Sequence, residues 1–329
     1  MCYISMNKKI ILLFVISLML LAFIPLLGIV PIHLRSVFTR SQDFFIFWQL
    51  RVPRVLLGFI SGATLGLSGL ICQNLFKNHL ATPDILGITT GAGAGAVIAI
   101  KLGISFSILG LSGVNLFGFI GALVSVLLVL SIARILKNFS IYSLLMSGVA
   151  MSLFFSATII FFQYIFDFSN TYSILRWLMG GLTVIGYREV ILLSILLFFF
   201  LIASFLFKRE LVLLSVGDEF AVSKGLNVKK FRISMFVLIS LVVGMSVSVI
   251  GPIGFVALVI PHIARIIGRN NYPEMLVSTL LLGGIVLTTA DFVSRIIIPP
   301  VEIPVGIITS FVGAPFFLVI LILDLRNNR

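Results

Sequence analysis

Long apolar stretches separated by short polar turns dominate the chain. A membrane-spanning helix needs about 20 consecutive, mainly apolar residues, and runs of this length recur from one end of the sequence to the other. They predict ten spanning helices, at roughly 10–30, 54–76, 84–101, 113–133, 142–166, 189–207, 231–250, 253–268, 274–295 and 305–323. An even number of spans places both termini on the same side of the membrane.

The first apolar run, 10–30, follows Lys8 and Lys9. It is longer than the apolar core of a signal peptide, which has roughly 7–15 residues, and no cleavage pattern of small residues follows it. We therefore expect a retained first span, bent at Pro25.

One polar stretch, 208–232, interrupts the pattern near the middle of the chain. It holds nine charged residues within 25 positions, and a charge buried in hydrocarbon costs several kcal/mol. The stretch must therefore lie in water or against a soluble partner. Asp218 suits the N-cap of a short helix and Gly225 suits its C-terminal cap. We expect a short surface helix presented to a partner in the cytoplasm.

The composition fits a membrane protein. The chain of 329 residues is 60% hydrophobic and 10% charged, with a mean hydropathy of +1.24. Its net charge of +12 therefore concerns sidedness rather than nucleic acid. With both termini inside, 15 of the 23 Lys and Arg residues fall on the inner side, as the positive-inside rule requires. This orientation places 208–232 in the cytoplasm.

Four arginines lie in the outer loop between the first two spans: Arg35, Arg40, Arg51 and Arg54. They run against the positive-inside rule locally. Their long side chains could snorkel to the interface, or they could form a docking surface for an acidic partner. The pattern alone leaves both interpretations open.

Glycine and proline mark close packing and helix breaks. Glycines about four apart, at 58, 62, 66 and 69 and at 87, 91 and 95, predict helix faces that approach a neighbouring backbone closely. The connection 250–255 predicts a break buried in protein. Gly313 and Pro315 predict a broken or kinked last helix, and Gln73 and Asn74 are expected to hydrogen-bond between helices.

The sequence offers little enzyme chemistry. Cys2 and Cys72 are far apart, and the three histidines, His33, His79 and His262, form no metal-ligand pattern. No Gly-Lys dipeptide occurs, so the chain has no Walker A loop and is not itself an ATPase. Asp291 and Arg295 are spaced for an intrahelical ion pair. A conducting subunit driven by a separate motor fits best; an ion-coupled secondary transporter of a small solute is the alternative.

Five ordered motifs resemble the FecCD-type permease subunits of iron-siderophore, haem and cobalamin ABC importers. Arg51-Val52-Pro53-Arg54 is similar to the family's Arg-Leu-Pro-Arg, and 217–225 to its Gly-Asp/Glu-x-x-Ala-x-x-Leu-Gly loop. The others are 69–87, 254–265 and 290–317. The resemblance covers nearly the whole chain from residue 51.

The resemblance implies an all-α integral membrane protein of about ten transmembrane helices with short broken or re-entrant helices, like the cobalamin permease of a type II ABC importer. Residues 1–329 would form one permease domain, multi-pass in the bacterial inner membrane, with both termini cytoplasmic. The expected partners are a second permease copy, two ABC ATPase subunits that hydrolyse the ATP, a periplasmic or lipoprotein solute-binding protein, and lipid. No cofactor, metal or nucleic acid is implied.

The resemblance also assigns roles to individual residues. It places ATPase coupling at Gly217, Asp218, Glu219, Ala221 and Gly225. It places docking of the binding protein at Arg51, Arg54 and Arg295, which favours the docking interpretation of the outer arginines. It places the inner gate at Ser140, Ile141 and Tyr142, by a looser match.

The chain departs from the family pattern at a few positions. His79 stands where the family has proline, Lys77 where it has arginine, and Ala257 where it has glycine. A His79 that faces the ATPase would add pH sensitivity; an ordinary solvated turn is the alternative. The sequence does not select among siderophore, haem and cobalamin, or between a homodimer and a heterodimer.

Overall fold

The computed structural model describes residues 8–28, 31, 36–38, 42–108, 111–136, 139–165, 168–268 and 271–327. The sequence interpretations of Cys2, His33, Arg35 and Arg40 lie outside these residues. The α-helices are α1 (Lys8–Phe23), α2 (Gln42–Phe45), α3 (Val52–Phe76), α4 (Ile88–Lys101), α5 (Gly113–Ile135), α6 (Ile141–Ile165), α7 (Phe168–Leu178), α8 (Arg188–Leu206), α9 (Lys208–Val216), α10 (Asp218–Ser223), α11 (Val228–Ile250), α12 (Val256–Gly268), α13 (Tyr272–Ile296) and α14 (Val305–Asn327).

Short elements connect some of these helices. A π-helix, Ile46–Arg51, joins α2 to α3, and 3-10 turns occupy Ile24–Leu26, Ser36–Phe38 and Pro83–Leu86. Two short strands, β1 (Ser107–Ile108) and β2 (Leu111–Ser112), pair antiparallel, with Ser107 opposite Ser112 and Ile108 opposite Leu111. The bend expected at Pro25 is the 3-10 turn that follows α1.

The predicted spans correspond to helices in the described part of the chain. Seven helical segments there are long and apolar enough to cross a membrane. Three shorter apolar helices, Ile88–Lys101, Val256–Gly268 and Val305–Val319, occupy the other predicted positions. The fold class predicted from the sequence, an all-α membrane protein with short and broken helices, is confirmed.

Helix α3 lies at the centre of the fold, and every residue from Ser61 to Phe76 is buried. The predicted close packing of its glycines is confirmed on two sides. A Cβ at Gly62 would lie 2.1 Å from the carbonyl oxygen of Gly283 in α13. A Cβ at Gly69 would lie 1.9 Å from the carbonyl oxygen of Ala257 in α12. Small residues thus let these backbones touch.

Gly62→Ala should therefore destabilise the protein. The added methyl group would meet a backbone carbonyl that cannot rotate away, and overpacking of this kind costs about 1–3 kcal/mol. Thermal unfolding of the purified protein in detergent measures the loss. Gly118→Ala is the matched control, because its Cβ would lie 3.4 Å from Ser248 Cβ, an ordinary contact. Equal unfolding temperatures for the two variants would contradict the packing described here.

The helix break expected at 250–255 is present. Helix α11 ends at Ile250 and α12 begins at Val256, with Gly251 at φ +72° between them. The N–H of Gly181 donates to the carbonyl of Ile250 at 2.8 Å, and a Cβ at Gly180 would lie 2.3 Å from the carbonyl oxygen of Pro252. The irregular backbone therefore lies against protein. Within a bilayer, its amide groups need protein partners because lipid tails cannot form hydrogen bonds.

No break occurs at Gly313 and Pro315. Helix α14 continues through both residues, so of the two expected alternatives, a break or a kink, the break is wrong. A Cβ at Gly313 would lie 2.4 Å from Phe255 Cβ. This glycine makes room for an aromatic ring from the break between α11 and α12, rather than interrupting its own helix.

Candidate functional site

The polar interruption at 208–232 folds as two short helices, α9 and α10, rather than one. Within α10, Ala221 is fully buried, whereas Phe220 and Val222 are large apolar residues that remain exposed. Gly225 follows the helix at φ +82°, where the left-handed backbone favours glycine. The N–H of Leu226 donates to the carbonyl of Ala221 at 3.1 Å. The predicted surface helix and its glycine terminus are confirmed.

Asp218 does not cap α10, as the sequence had suggested, because Gly217 occupies the N-cap position and Asp218 is already helical. Its carboxylate instead binds two cations. Lys77 Nζ lies 2.8 Å from one oxygen, and a terminal guanidinium nitrogen of Arg232 lies 2.9 Å from the other. Lys77 follows the end of α3 and Arg232 lies in the first turns of α11. One side chain therefore ties the surface helix to two long helices.

Charge pairing sets the ionisation of Asp218. Burial alone would raise its pKa, but hydrogen bonds and charges from Lys77 and Arg232 outweigh burial and hold the pKa of Asp218 below its ordinary value. The carboxylate is therefore ionised at neutral pH, and both ion pairs are present there.

The C-terminal end of α3 is hydrogen-bonded to α12 as well as linked to α10. Lys77 adopts a left-handed conformation at φ 49° and ends the helix. Four residues earlier, Gln73 donates from Nε2 to the carbonyl of Leu258 at 3.2 Å and accepts from Arg265 at 2.6 Å. The predicted interhelical hydrogen bonding of Gln73 is confirmed. These two hydrogen bonds fix the C-terminal end of α3 against α12.

The turn assigned to the inner gate caps α6. The Oγ of Ser140 accepts from the N–H of Ser143 at 3.1 Å, and Ile141 is the first helical residue. Tyr142 is 72% exposed. An exposed aromatic ring at a helix start suits a gate.

The turn before α6 and the segment around α10 line the same cavity. This open cavity of about 730 Å³ is bounded by Phe139 and Ser140 on one side and by Asp218, Val222 and residues 225–229 and 232 on the other. Lys229 Nζ lies 4.7 Å from the centre of the Phe139 ring, within range of a cation–π interaction. The first turn of α11 thus contacts Phe139, next to Ser140, while Arg232 on the same helix holds Asp218.

Arg54 is ion-paired inside the chain. Its guanidinium donates to both carboxylate oxygens of Asp291, at 3.0 to 3.2 Å, and to both of Glu302, at 3.0 and 3.1 Å. Asp291 is buried, with a side chain 2% exposed, whereas that of Glu302 is 41% exposed. Arg295 Nε lies 3.3 Å from Asp291, as the spacing in α13 predicted. We call Arg54, Asp291, Arg295 and Glu302 the outer cluster, after the side on which the charge pattern predicts them to lie.

Arg51 is held separately from the outer cluster. Its guanidinium donates to the carbonyl of Pro25 at 3.3 Å and lies against Gly28, where a Cβ would come within 2.7 Å. The structure therefore brings Arg54 and Arg295 together and places Arg51 in a different contact. All three predicted docking residues make internal contacts.

Sequence reasoning missed several partners of the predicted residues. Lys77, Arg232 and Glu302 were each noticed as charges or motif members, but not as ion-pair partners. Glu302 could have been identified from the sequence. The C-terminal motif 290–317 places this glutamate shortly after Asp291 and Arg295 and just before the start of the last helix. Among the described residues, no group of three His, Cys, Asp or Glu side chains could hold a metal ion.

Comparisons with known proteins agree along the chain. The family model described as the FecCD transport family matches residues 9–323. A probable iron chelatin transport system permease protein of Helicobacter pylori is 37% identical over 293 residues, 88% of this chain and 87% of that protein. The vitamin B12 import system permease protein of Salmonella paratyphi A is 35% identical over 282 residues, covering 85% and 84%.

A solved structure shares the fold. It is described as an inward-facing conformation of a metal-chelate type ABC transporter. It superposes with a TM-score of 0.83 at 29% identity, covering 95% of this chain and 98% of that one.

Proposed function

The chain belongs to the FecCD transport family, and on that premise we propose that it is the permease subunit of an ABC importer that brings an iron chelate or cobalamin into the cytoplasm. The chain itself has no nucleotide-binding loop, so ATP hydrolysis falls to two partner ATPase subunits. A periplasmic or lipoprotein solute-binding protein delivers the solute from outside. The names of the relatives support this solute class.

The observation that carries the proposal is the anchored helix α10. It exposes Phe220 and Val222, the latter at 59%, while Asp218 ties its first turn to Lys77 and Arg232. A partner that pushes on α10 therefore moves the ends of α3 and α11. Because α11 also contacts Phe139, the movement reaches the turn at Ser140, Ile141 and Tyr142, the proposed inner gate. We assign coupling to Gly217, Asp218, Glu219, Ala221 and Gly225.

The orientation follows from charge. We place both termini and α10 in the cytoplasm, because this puts most Lys and Arg residues inside. The outer cluster then faces the binding protein, and we assign docking to Arg51, Arg54 and Arg295. A second copy of the chain would complete the pathway. Helices α6 and α14 leave large apolar side chains exposed, among them Leu153 and Phe311, that suit this contact.

An ion-coupled secondary transporter is the competing function. Such a carrier needs an acidic group that exchanges an ion or a proton within the membrane. Asp291 is a buried carboxylate, but two arginines neutralise it. Protonation of Asp291 would remove the carboxylate that Arg54 and Arg295 share and leave Arg54 with Glu302 alone. The outer cluster therefore favours a structural and docking role over ion coupling.

Uptake by the reconstituted complex tests the proposal. Proteoliposomes that contain the permease, its ATPase and the binding protein are offered labelled ferric siderophore, haem and cobalamin in parallel. We expect one of these solutes to enter only when ATP is available to the ATPase, with no effect of ionophores. Uptake without ATP that collapses with an ionophore would support the secondary transporter instead. Failure of all three solutes would contradict the proposed solute class.

A further inference from the structure

The outer cluster is electrically neutral, although its arginines were expected to present positive charge. Two guanidinium groups, of Arg54 and Arg295, face two carboxylates, of Asp291 and Glu302. A binding protein with acidic docking residues therefore meets a surface whose cations already have partners. If a carboxylate of the binding protein docks on Arg54, either it forms a longer-range contact with an arginine that keeps both its partners, or it replaces Asp291 or Glu302.

The two partners of Arg54 are not equally replaceable. Asp291 is 2% exposed and contacts both arginines, so its removal would leave buried cations uncompensated. Glu302 is 41% exposed and contacts Arg54 through one nitrogen. Exposed ion pairs contribute little to stability because water replaces the lost contacts. Glu302 is therefore the partner that an incoming carboxylate can displace.

A cavity stands beside this replaceable pair. It measures about 270 Å³ and is lined by Arg54 and Glu302, by Ser173, Arg176 and Trp177 in α7, and by residues 180–183, 249–251 and 303–305. The Gly181–Ile250 hydrogen bond, at 2.8 Å, fixes two of its walls. Arg176 is exposed. A carboxylate side chain that enters the cavity therefore meets a lining that includes both Arg54 and Arg176.

We propose that this cavity is an ion-pair exchange site: a carboxylate of the docked solute-binding protein displaces Glu302 from Arg54 and is held between Arg54 and Arg176. The proposal rests on the proposed function. It adds Arg176 to the docking surface. It also means that Glu302 occupies, in the free permease, the position that the binding protein's carboxylate takes after docking. In the free permease, Glu302 keeps Arg54 oriented and limits premature association with other anions.

Docking affinity of matched variants tests the exchange. The complex of permease and ATPase, in nanodiscs, is titrated with the solute-binding protein encoded beside it. Glu302→Gln removes the competing charge and should tighten docking about three- to fivefold, the range for an exposed ion pair. Arg176→Gln should weaken docking by about the same factor. Arg188→Gln, which neutralises an exposed arginine outside the cavity lining, should leave it unchanged.

The possible outcomes distinguish a failure of the exchange proposal from a failure of the proposed function. Docking that is unchanged or weaker in Glu302→Gln would overturn the exchange, because a mere support for Arg54 would lose affinity when removed. An equal loss in Arg176→Gln and Arg188→Gln would remove Arg176 from the site. If the unaltered complex does not bind the solute-binding protein at all, the proposed function itself fails. Thermal unfolding of each variant checks that it is folded.

Discussion

Reversing the charge of Asp218 should abolish ATP-driven uptake while ATP hydrolysis continues. Asp218→Lys removes the anion that joins Lys77 to Arg232 and adds a third cation beside them. The Arg232 side chain is only 4% exposed, so its charge would lose its compensating partner in a largely buried place. Helix α10 would no longer be tied to α3 and α11. We expect uptake to fall at least about tenfold, an energetic change of about 1.4 kcal/mol, in liposomes where hydrolysis and uptake are measured together.

The neighbouring acid provides the control. Glu219 lies exposed one position further along α10. Glu219→Lys changes the charge of the helix by the same amount but leaves the ion pairs of Asp218 in place. Because Glu219 is itself assigned to coupling, this variant should also lose some uptake, but if the internal link matters its loss should be clearly smaller than that of Asp218→Lys. Normal uptake by Asp218→Lys, or equal loss in both variants, would contradict the link described here.

The link should not respond to pH in the physiological range. The folded pKa of Asp218 is below its ordinary value, and the unfolded value is about 3.9. The stabilisation is therefore fully present above about pH 5 and is lost only as the pH falls through the lower folded pKa. Uptake that varies between pH 6 and 8 must have another cause, such as the exposed His79.

Neutralising Asp291 should cost the protein more stability than any other single change proposed. Asp291→Asn keeps the size of the side chain but removes the charge that compensates Arg54 and Arg295. Removing one partner of a buried ion pair typically costs about 3–5 kcal/mol. We expect a large fall in the unfolding temperature in detergent and a low yield of folded protein.

Glu302→Gln is the matched comparison, because it removes the other carboxylate of the same arginine. Glu302 is 41% exposed, so this loss should be below about 1 kcal/mol. Two variants of similar stability would show that burial of Asp291 does not govern the outer cluster. The difference in stability between Asp291→Asn and Glu302→Gln therefore measures how much more the buried carboxylate contributes than the exposed one.

The spans could be predicted because their cause is local. A helix in hydrocarbon must bury about 20 apolar residues in sequence, and the glycines that meet a neighbour repeat along one face. The expected break at Gly313 failed for a different reason. The contact that needs this glycine comes from Phe255, which lies far away in the sequence.

The ion pairs could not be predicted because their partners are distant. Arg54 and Asp291 are 237 positions apart, and Lys77 reaches Asp218 only after several helices have packed. The sequence identified Asp218 and Arg54 as candidates through the family motifs, but it suggested a helix cap for one and an open docking side chain for the other. Tertiary packing decides which charges are left for a partner.

Chemical labelling of α10 tests the central claim most directly. In a variant with Cys2 and Cys72 replaced by serine, Val222→Cys places a thiol on the exposed face of α10, and Leu102→Cys places one in the loop after α4. A membrane-impermeant maleimide is applied to inverted and right-side-out vesicles, with and without the ATPase. The account predicts that Val222→Cys reacts only from the cytoplasmic side and is protected when the ATPase is bound, while Leu102→Cys reacts only from outside. Labelling of Val222→Cys from the exterior, or no protection by the ATPase, would contradict it.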